Sequence, residues 1–291
     1  MKYYFNTLFL AACLGSLIGC RQAGTADNER TRKETITVSI EPLRYIAGQI
    51  AGEHFNIETF VPKGSSPETY EPTPLQMMKL TESLAFFEIG GLGFERTWLD
   101  KLRQTNPKLP FVRTSNGITR LNGHHHDSHR EIESDPHVWT TPDNMKVIAK
   151  NIYASLCQID TASAGDFKKN LQKTLAELQS LDDSLHTLTD TLDTRAFLIY
   201  HPTLTYFAHA YGLTQIPMEA DGKEPSPGQL AGLIATCKEK QVRIIFVQQE
   251  FDLDNAELIA RETGTRIVNI NPLSYEWKKE MLNIAKTLHA Q

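Results

Sequence analysis

Short apolar runs alternate with amphipathic stretches along almost the whole chain, and they do so in two successive halves. Thr35–Ile40 (TITVSI) is a β-branched run, followed by Glu41-Pro42 and an apolar-periodic stretch over Leu43–Ile50, which together predict a strand, a turn and a helix. Phe55–Val61 reads as the next strand, stopped by Pro62 and Gly64. A proline-rich loop at residues 65–74 (SSPETYEPTP) leads into a helix that opens with Pro74 at its first position and runs to about Glu82. Leu84–Ile89 is a mostly apolar strand bounded by Gly90, Gly91 and Gly93. Phe94–Leu102 is helical and Phe111–Arg113 is a last short strand.

The middle of the chain changes period. Thr141-Pro142-Asp143-Asn144 starts a helix to Leu156, and a second helix runs over Ala164–Thr189. The second carries Phe167, Leu171, Leu175, Leu178, Leu181, Leu185 and Leu188 at steps of three and four. That is an apolar seam along a rod of roughly 35–40 Å at the α-helical rise. Such a seam suits a coiled-coil dimer stripe, but between two α/β patterns it reads as a spine packed against both. The second half then repeats the first. Strands are expected at Ala196–Tyr200, Gln215–Met218, Val242–Val247 and Arg266–Ile270, with helices over Thr203–Tyr211, from Glu224-Pro225-Ser226-Pro227 to Lys240, Leu253–Thr263 and Tyr275–His289. Strands alternating with helices imply parallel sheets with right-handed crossovers. The fold class is therefore α/β: two parallel-sheet lobes, residues 35–143 and 193–291, joined by connecting helices at 144–192 that include one long backbone helix.

Length, at 291 residues, is comfortable for two such lobes. A formal net charge of −5 with no basic stripe argues against nucleic acid as a partner. Residues 1–19 have one lysine, Lys2, and a short apolar run, Leu8–Leu17, too short to span a bilayer as a helix; they read as a signal peptide. Leu17-Ile18-Gly19-Cys20 resembles a bacterial lipobox, which implies lipidation of Cys20. Residues 20–34 are small, polar and charged, suiting a flexible tether. Cys157 and Cys237 fall on expected helices, and nothing in their spacing decides whether they pair.

Between the first lobe and the connecting helices lies NGHHHDSHREIESDPHVW, residues 122–139. His124, His125, His126 and His129 sit within six residues, in a loop of residues 122–129 with no apolar periodicity. Imidazole is the commonest ligand for zinc and its neighbours, so the loop is expected to handle metal as an accessory element. Open α/β sheets present functional groups where strands end. On that basis Glu68, His137, His201, Glu250 and Asn271 are candidate ligands, converging from two lobes on one cleft. No HExxH, GxSxG or phosphate-binding glycine loop is present, and binding of a metal demands no general base.

The segments at 61–74 (VPKGSSPETYEPTP), 89–99 (IGGLGFERTWL), 135–142 (DPHVWTTP), 200–212 (YHPTLTYFAHAYG), 224–230 (EPSPGQL) and 271–273 (NPL) resemble those of zinc/manganese-type, TroA-like solute-binding lipoproteins of ABC transporters. The likeness spans about residues 35–290. It implies two α/β lobes on a rigid helical backbone, with metal ligands at Glu68, His137, His201 and Asn271. Glu68 stands where the family usually has histidine, and Asn271 where it usually has aspartate, so an amide, Glu250 or water completes the shell. Two imidazoles and a carboxylate suit zinc, while the oxygen substitution leaves manganese or iron(II) open. The resemblance further implies a monomeric receptor, anchored through Cys20 and facing the periplasm or cell exterior, that delivers metal to an ABC permease. A surface metalloenzyme with an open zinc position, and a metal-dependent adhesin or metal buffer, are the competing readings.

Overall fold

The computed structural model describes residues 33–123, 134–219 and 222–290. The signal at residues 1–19, Cys20, nearly all of the tether and the loop histidines His124, His125, His126 and His129 lie outside the described residues.

The first sheet is built from β1 (Thr35–Val38), β2 (Asn56–Thr59), β3 (Ser83–Glu88) and β4 (Phe111–Arg113), all parallel, in the order β2-β1-β3-β4. The second, from β5 (Ala196–Ile199), β6 (Thr214–Pro217), β7 (Ile244–Gln248) and β8 (Arg266–Ile270), is also parallel, in the order β6-β5-β7-β8. The two sheets follow one plan. In each, the strand order reverses between the first strand and the third, which opens a crevice at their carboxyl ends.

Helices cover the sheets. In the first lobe these are α1 (Glu41–Ala51), α2 (Pro74–Leu80) and α3 (Gly93–Thr105); between the lobes run α4 (Pro142–Ile159) and α5 (Ala164–Thr189); the second lobe has α6 (Thr205–Ala210), α7 (Pro227–Glu239), α8 (Asp254–Thr263) and α9 (Trp277–His289). Period-two alternation divides the second sheet between two apolar cores. Phe197, Ile199, Ile244 and Phe246 face inward, while Ala196, Leu198, Ile245 and Val247 face α7 and α8. The inward core is continuous with that of the first lobe through Phe167, Leu178, Leu181 and Leu185 of α5. Because packed cores deform little, a shared core resists relative motion of the lobes.

Helix α5 packs on α1, α4 and α9, so its seam is occupied within the chain as a spine. Thr174, not Leu175, takes the buried place in the middle of that seam, its hydroxyl donating to the Asn170 carbonyl at 2.8 Å. A second tie crosses from α1 to the approach of α9. The Arg44 guanidinium lies 3.8 Å from the Tyr275 ring centroid, and Tyr45 packs against Tyr275 and Trp277. Cys157 is half-buried and Cys237 buried, and both are free thiols. No helix among the described residues is long and apolar enough to cross a membrane.

Candidate metal centre

Glu68 lies in the proline-rich loop between β2 and α2, and the start of α3 holds it. The Phe94 N–H donates to the Pro67 carbonyl at 2.9 Å, and the Gly93 N–H donates to Glu68 Oε2 at 3.1 Å. Glycine is required at position 93 by this approach, since a Cβ there would stand 2.0 Å from the Glu68 carbonyl oxygen. The turn before α3 is shaped by Glu95, whose carboxylate accepts the Ile89, Gly90 and Leu92 N–H groups at 2.9, 2.7 and 3.3 Å. Burial pushes the Glu95 carboxyl up to about 7, with neighbouring Glu88 adding to the shift and the N–H bonds opposing it. Glu68 Oε1, in contrast to Oε2, is buried without a hydrogen-bond partner. An orphaned buried carboxylate oxygen is costly unless a cation answers it.

His137 follows Asp135-Pro136 and opens a short 3₁₀ turn at Val138–Thr140, which no sequence signal predicted. The Asp135 carboxylate oxygen Oδ1 accepts both the His137 main-chain N–H, at 2.7 Å, and its ring Nδ1–H, at 2.8 Å. Burial works against the charged ring, but the adjacent Asp135, aided by Glu68 and Glu219, outweighs it and raises the His137 pKa overall. His201 directly follows β5. Gln248, at the end of β7, accepts its N–H at 3.3 Å and donates to its carbonyl at 2.7 Å, while ring Nδ1 meets Glu219 Oε1 at 2.5 Å. Phe251 lies beside the His201 ring and stacks on Tyr200.

Each imidazole thus has a carboxylate behind Nδ1, which fixes the tautomer and leaves Nε2 free to accept. The two Nε2 atoms stand 3.3 Å apart, and Glu68 Oε1 is 3.8 Å from that of His137. Two acceptor nitrogens at that distance repel unless a positive charge lies between them. Ligand bonds of about 2.05 Å at tetrahedral angles separate donors by roughly 3.3 Å, which is the spacing the imidazoles already have. Glu68, His137 and His201 form the metal-competent group of acidic, histidine and cysteine side chains among the described residues, with ligand atoms within 4.8 Å of one another.

The other sequence candidates are placed differently. Glu250 lines the same pocket, with Trp139, Thr203, Pro272 and Leu273. Asn271 lines a neighbouring crevice with Glu41, Lys63 and Gln249. Its Oδ1 accepts the Leu273 N–H at 3.1 Å and its main-chain N–H goes to Glu280 at 2.8 Å. Sequence reasoning missed the orienting carboxylates. Asp135 was visible two residues before His137, whereas Glu219 carried no local signal, being brought to His201 by the pairing of β5 with β6.

Residues 36–289 match the family described as zinc-uptake complex component A, periplasmic. The high-affinity zinc uptake system protein ZnuA of Bacillus subtilis (strain 168) is 26% identical over 294 residues, covering 96% of this chain and 91% of that protein. The manganese-binding lipoprotein MntA of Halalkalibacterium halodurans is 25% identical over 264 residues, covering 89% and 85% respectively. Among solved structures, a crystal structure of ZnuA aligns with a TM-score of 0.83 at 35% identity, over 88% of this chain and 98% of that one. With a family match that spans almost the entire described chain and a fold of the same build, the chain belongs to the periplasmic component A family of zinc-uptake complexes.

Proposed function

We propose that this protein is an extracytoplasmic receptor that captures one zinc ion between its lobes and hands it to the permease of an ABC transporter. Glu68 Oε1, His137 Nε2 and His201 Nε2 are the protein ligands in this reading, and Glu250 or a water completes the shell. The observation that carries it is the pair of Nε2 acceptors 3.3 Å apart facing an orphaned carboxylate oxygen, an arrangement that a single cation would satisfy. The zinc-uptake relative and the tetrahedral spacing favour zinc, while the manganese-binding relative makes manganese the competitor. Anchoring through lipidated Cys20, a monomeric state and an accessory role for the loop histidines belong to the same proposal. The protein releases its cargo unchanged, so no turnover of ester, phosphate or peptide substrates is expected.

Elemental analysis of a purified soluble form beginning at Gln22, with competitive titration of zinc against manganese, tests the reading. One tightly held zinc, lost in the His137→Ala/His201→Ala double variant, is the expected result. Preference for manganese would overturn the metal assignment, and absence of any tightly held metal would overturn the receptor role.

A further inference from the structure

Asp135 sets His137, and what sets Asp135 comes from the opposite lobe. Helix α6 begins four residues after His201, and its Tyr206 is only 4% exposed. The Tyr206 hydroxyl lies between two main-chain groups that flank the histidine-rich segment. It accepts the Leu121 N–H at 3.1 Å and donates to the Asp135 carbonyl at 2.9 Å. The same two residues are tied to each other, because the Asp135 N–H donates to the Leu121 carbonyl at 2.9 Å. Beyond them Asn122 and Ser134 form an antiparallel bridge. The neighbouring Thr205 lies beside the Asp135 carboxylate, which is 3% exposed, while its hydroxyl donates to the Pro202 carbonyl at 3.3 Å. One short helix of the second lobe therefore holds Asp135 by its carbonyl and borders its carboxylate.

We propose that Tyr206 is a positioning residue for the metal centre, fixing the separation of His137 and His201 across the lobe interface. His201 and Tyr206 sit five residues apart on one turn-and-helix segment, in which Gln248 holds the His201 carbonyl and the Thr203 hydroxyl. A bond from Tyr206 to Asp135, and from Asp135 to the His137 ring, links that segment to the opposing imidazole in two steps. Removing the hydroxyl leaves the buried Asp135 carbonyl and Leu121 N–H each short of a partner, so the main chain must move to find others. His137, bonded twice to Asp135 Oδ1, moves with it. The inference rests on the assignment of His137 and His201 as ligands. It further holds that Tyr206 acts through Asp135 and not through the histidine segment between its two partners.

Tyr206→Phe in the full chain is the test, with Thr205→Val as a second variant that changes the surroundings of the Asp135 carboxylate without touching the ring packing. In metal-free protein, hydrogen exchange is expected to quicken at the Leu121 and His137 amides while the strands of both sheets exchange at wild-type rates. In cobalt(II)-loaded protein, the visible absorption of the ion is expected to change in position and intensity, reporting altered ligand geometry. Zinc is expected to dissociate roughly ten times faster, the lower end of what loss of an orienting partner costs. Deleting residues 124–133 is expected to leave each effect intact. The proposal is overturned by uniform acceleration of exchange, by an unchanged cobalt spectrum, or by effects that vanish with the deletion. If wild-type protein holds neither cobalt nor zinc, the receptor reading fails, and the exchange pattern still decides whether Tyr206 positions His137.

Discussion

The two lobes share one strand order and yet contribute opposite things to the site. After the second strand of each sheet comes an acid, Glu68 beyond β2 and Glu219 beyond β6. Glu68 turns a bare oxygen toward the imidazoles, whereas Glu219 is spent behind His201. Beyond the third strand of the first sheet the turn is organised by an ionisable buried acid, Glu95, whereas the third strand of the second sheet ends in a neutral amide, Gln248, that holds the loop after β5. Topology has determined where loops gather, and the hydrogen-bond partners within each loop have determined which oxygen or nitrogen remains free. A ligand is thus recognised by what it fails to bond, more than by its residue type.

That contrast is broken most directly by truncating the two acids in turn. Glu219→Ala leaves the three ligand atoms in place and removes an orienting partner, so zinc affinity is expected to fall about 10–100-fold. Glu68→Ala removes a proposed ligand and is expected to cost more than that. Competition titration against a chelator of known affinity separates them. A larger loss at Glu219 would reverse the roles assigned to the two acids.

Gly93→Ala sharpens the same point from the main chain. The added methyl would meet the Glu68 carbonyl oxygen at 2.0 Å, so the loop must back away from α3 and take its carboxylate along. Overpacking of this kind costs about 1–3 kcal/mol. Thermal unfolding should register the loss, and zinc affinity should fall while His137 and His201 are untouched. Alanine at Gly228, where an added Cβ meets nothing within 4 Å, is the control that should do neither.

Much of this was legible in the sequence because it rests on local periodicity. The bounds of α5, β4 and β8 agree with the residue pattern, since each element is closed by a sharp change of composition. The inward place of Thr174 was not legible. A helix turns 100° per residue, and a threonine whose hydroxyl is satisfied by its own helix can face the core as a leucine does. At the site, residues following a strand could be read as candidates, but their partners could not. Glu219 lies 18 residues beyond His201 and reaches it only through the pairing of adjacent parallel strands. The 3₁₀ turn after His137 is likewise a product of packing, with Trp139 buried and its Nε1–H donating to the Pro272 carbonyl of the other lobe at 2.9 Å.

Glu95 makes the difference between the lobes measurable as a function of pH. Its carboxyl is raised from the ordinary 4.5 to about 7 in the folded chain. The folded state therefore holds a proton that the unfolded state has lost, and stability falls as pH rises from about 4.5 to about 7. The slope from this group is at most about 1.4 kcal/mol per pH unit. Denaturant melts at pH 5 and pH 7.5 should show the protein weaker at the higher pH, after correction for other groups by comparison with Glu95→Gln. The variant should lose that part of the slope. An equal slope in wild type and variant would show that Glu95 is ionised throughout.

The loops after the last strands offer the smallest effect and a clean decision. The first lobe's loop leads through residues 114–123 to His137, a proposed ligand, while the second lobe's begins at once with Asn271. The Asn271 side chain is committed to the Leu273 N–H, in a turn that presents Pro272 and Leu273 to the pocket. If that is its whole role, Asn271→Ala should cost about 1 kcal/mol of stability, the net value of one hydrogen bond, and leave zinc affinity almost unchanged. Asn271→Asp should keep the turn, because a carboxylate accepts the same N–H, and should raise affinity only if the side chain can leave Leu273 for the metal. A large loss of zinc in Asn271→Ala would instead make the amide oxygen a ligand. The two loops would then be equivalent in function as well as in position, and the lobes less different than their hydrogen bonds make them.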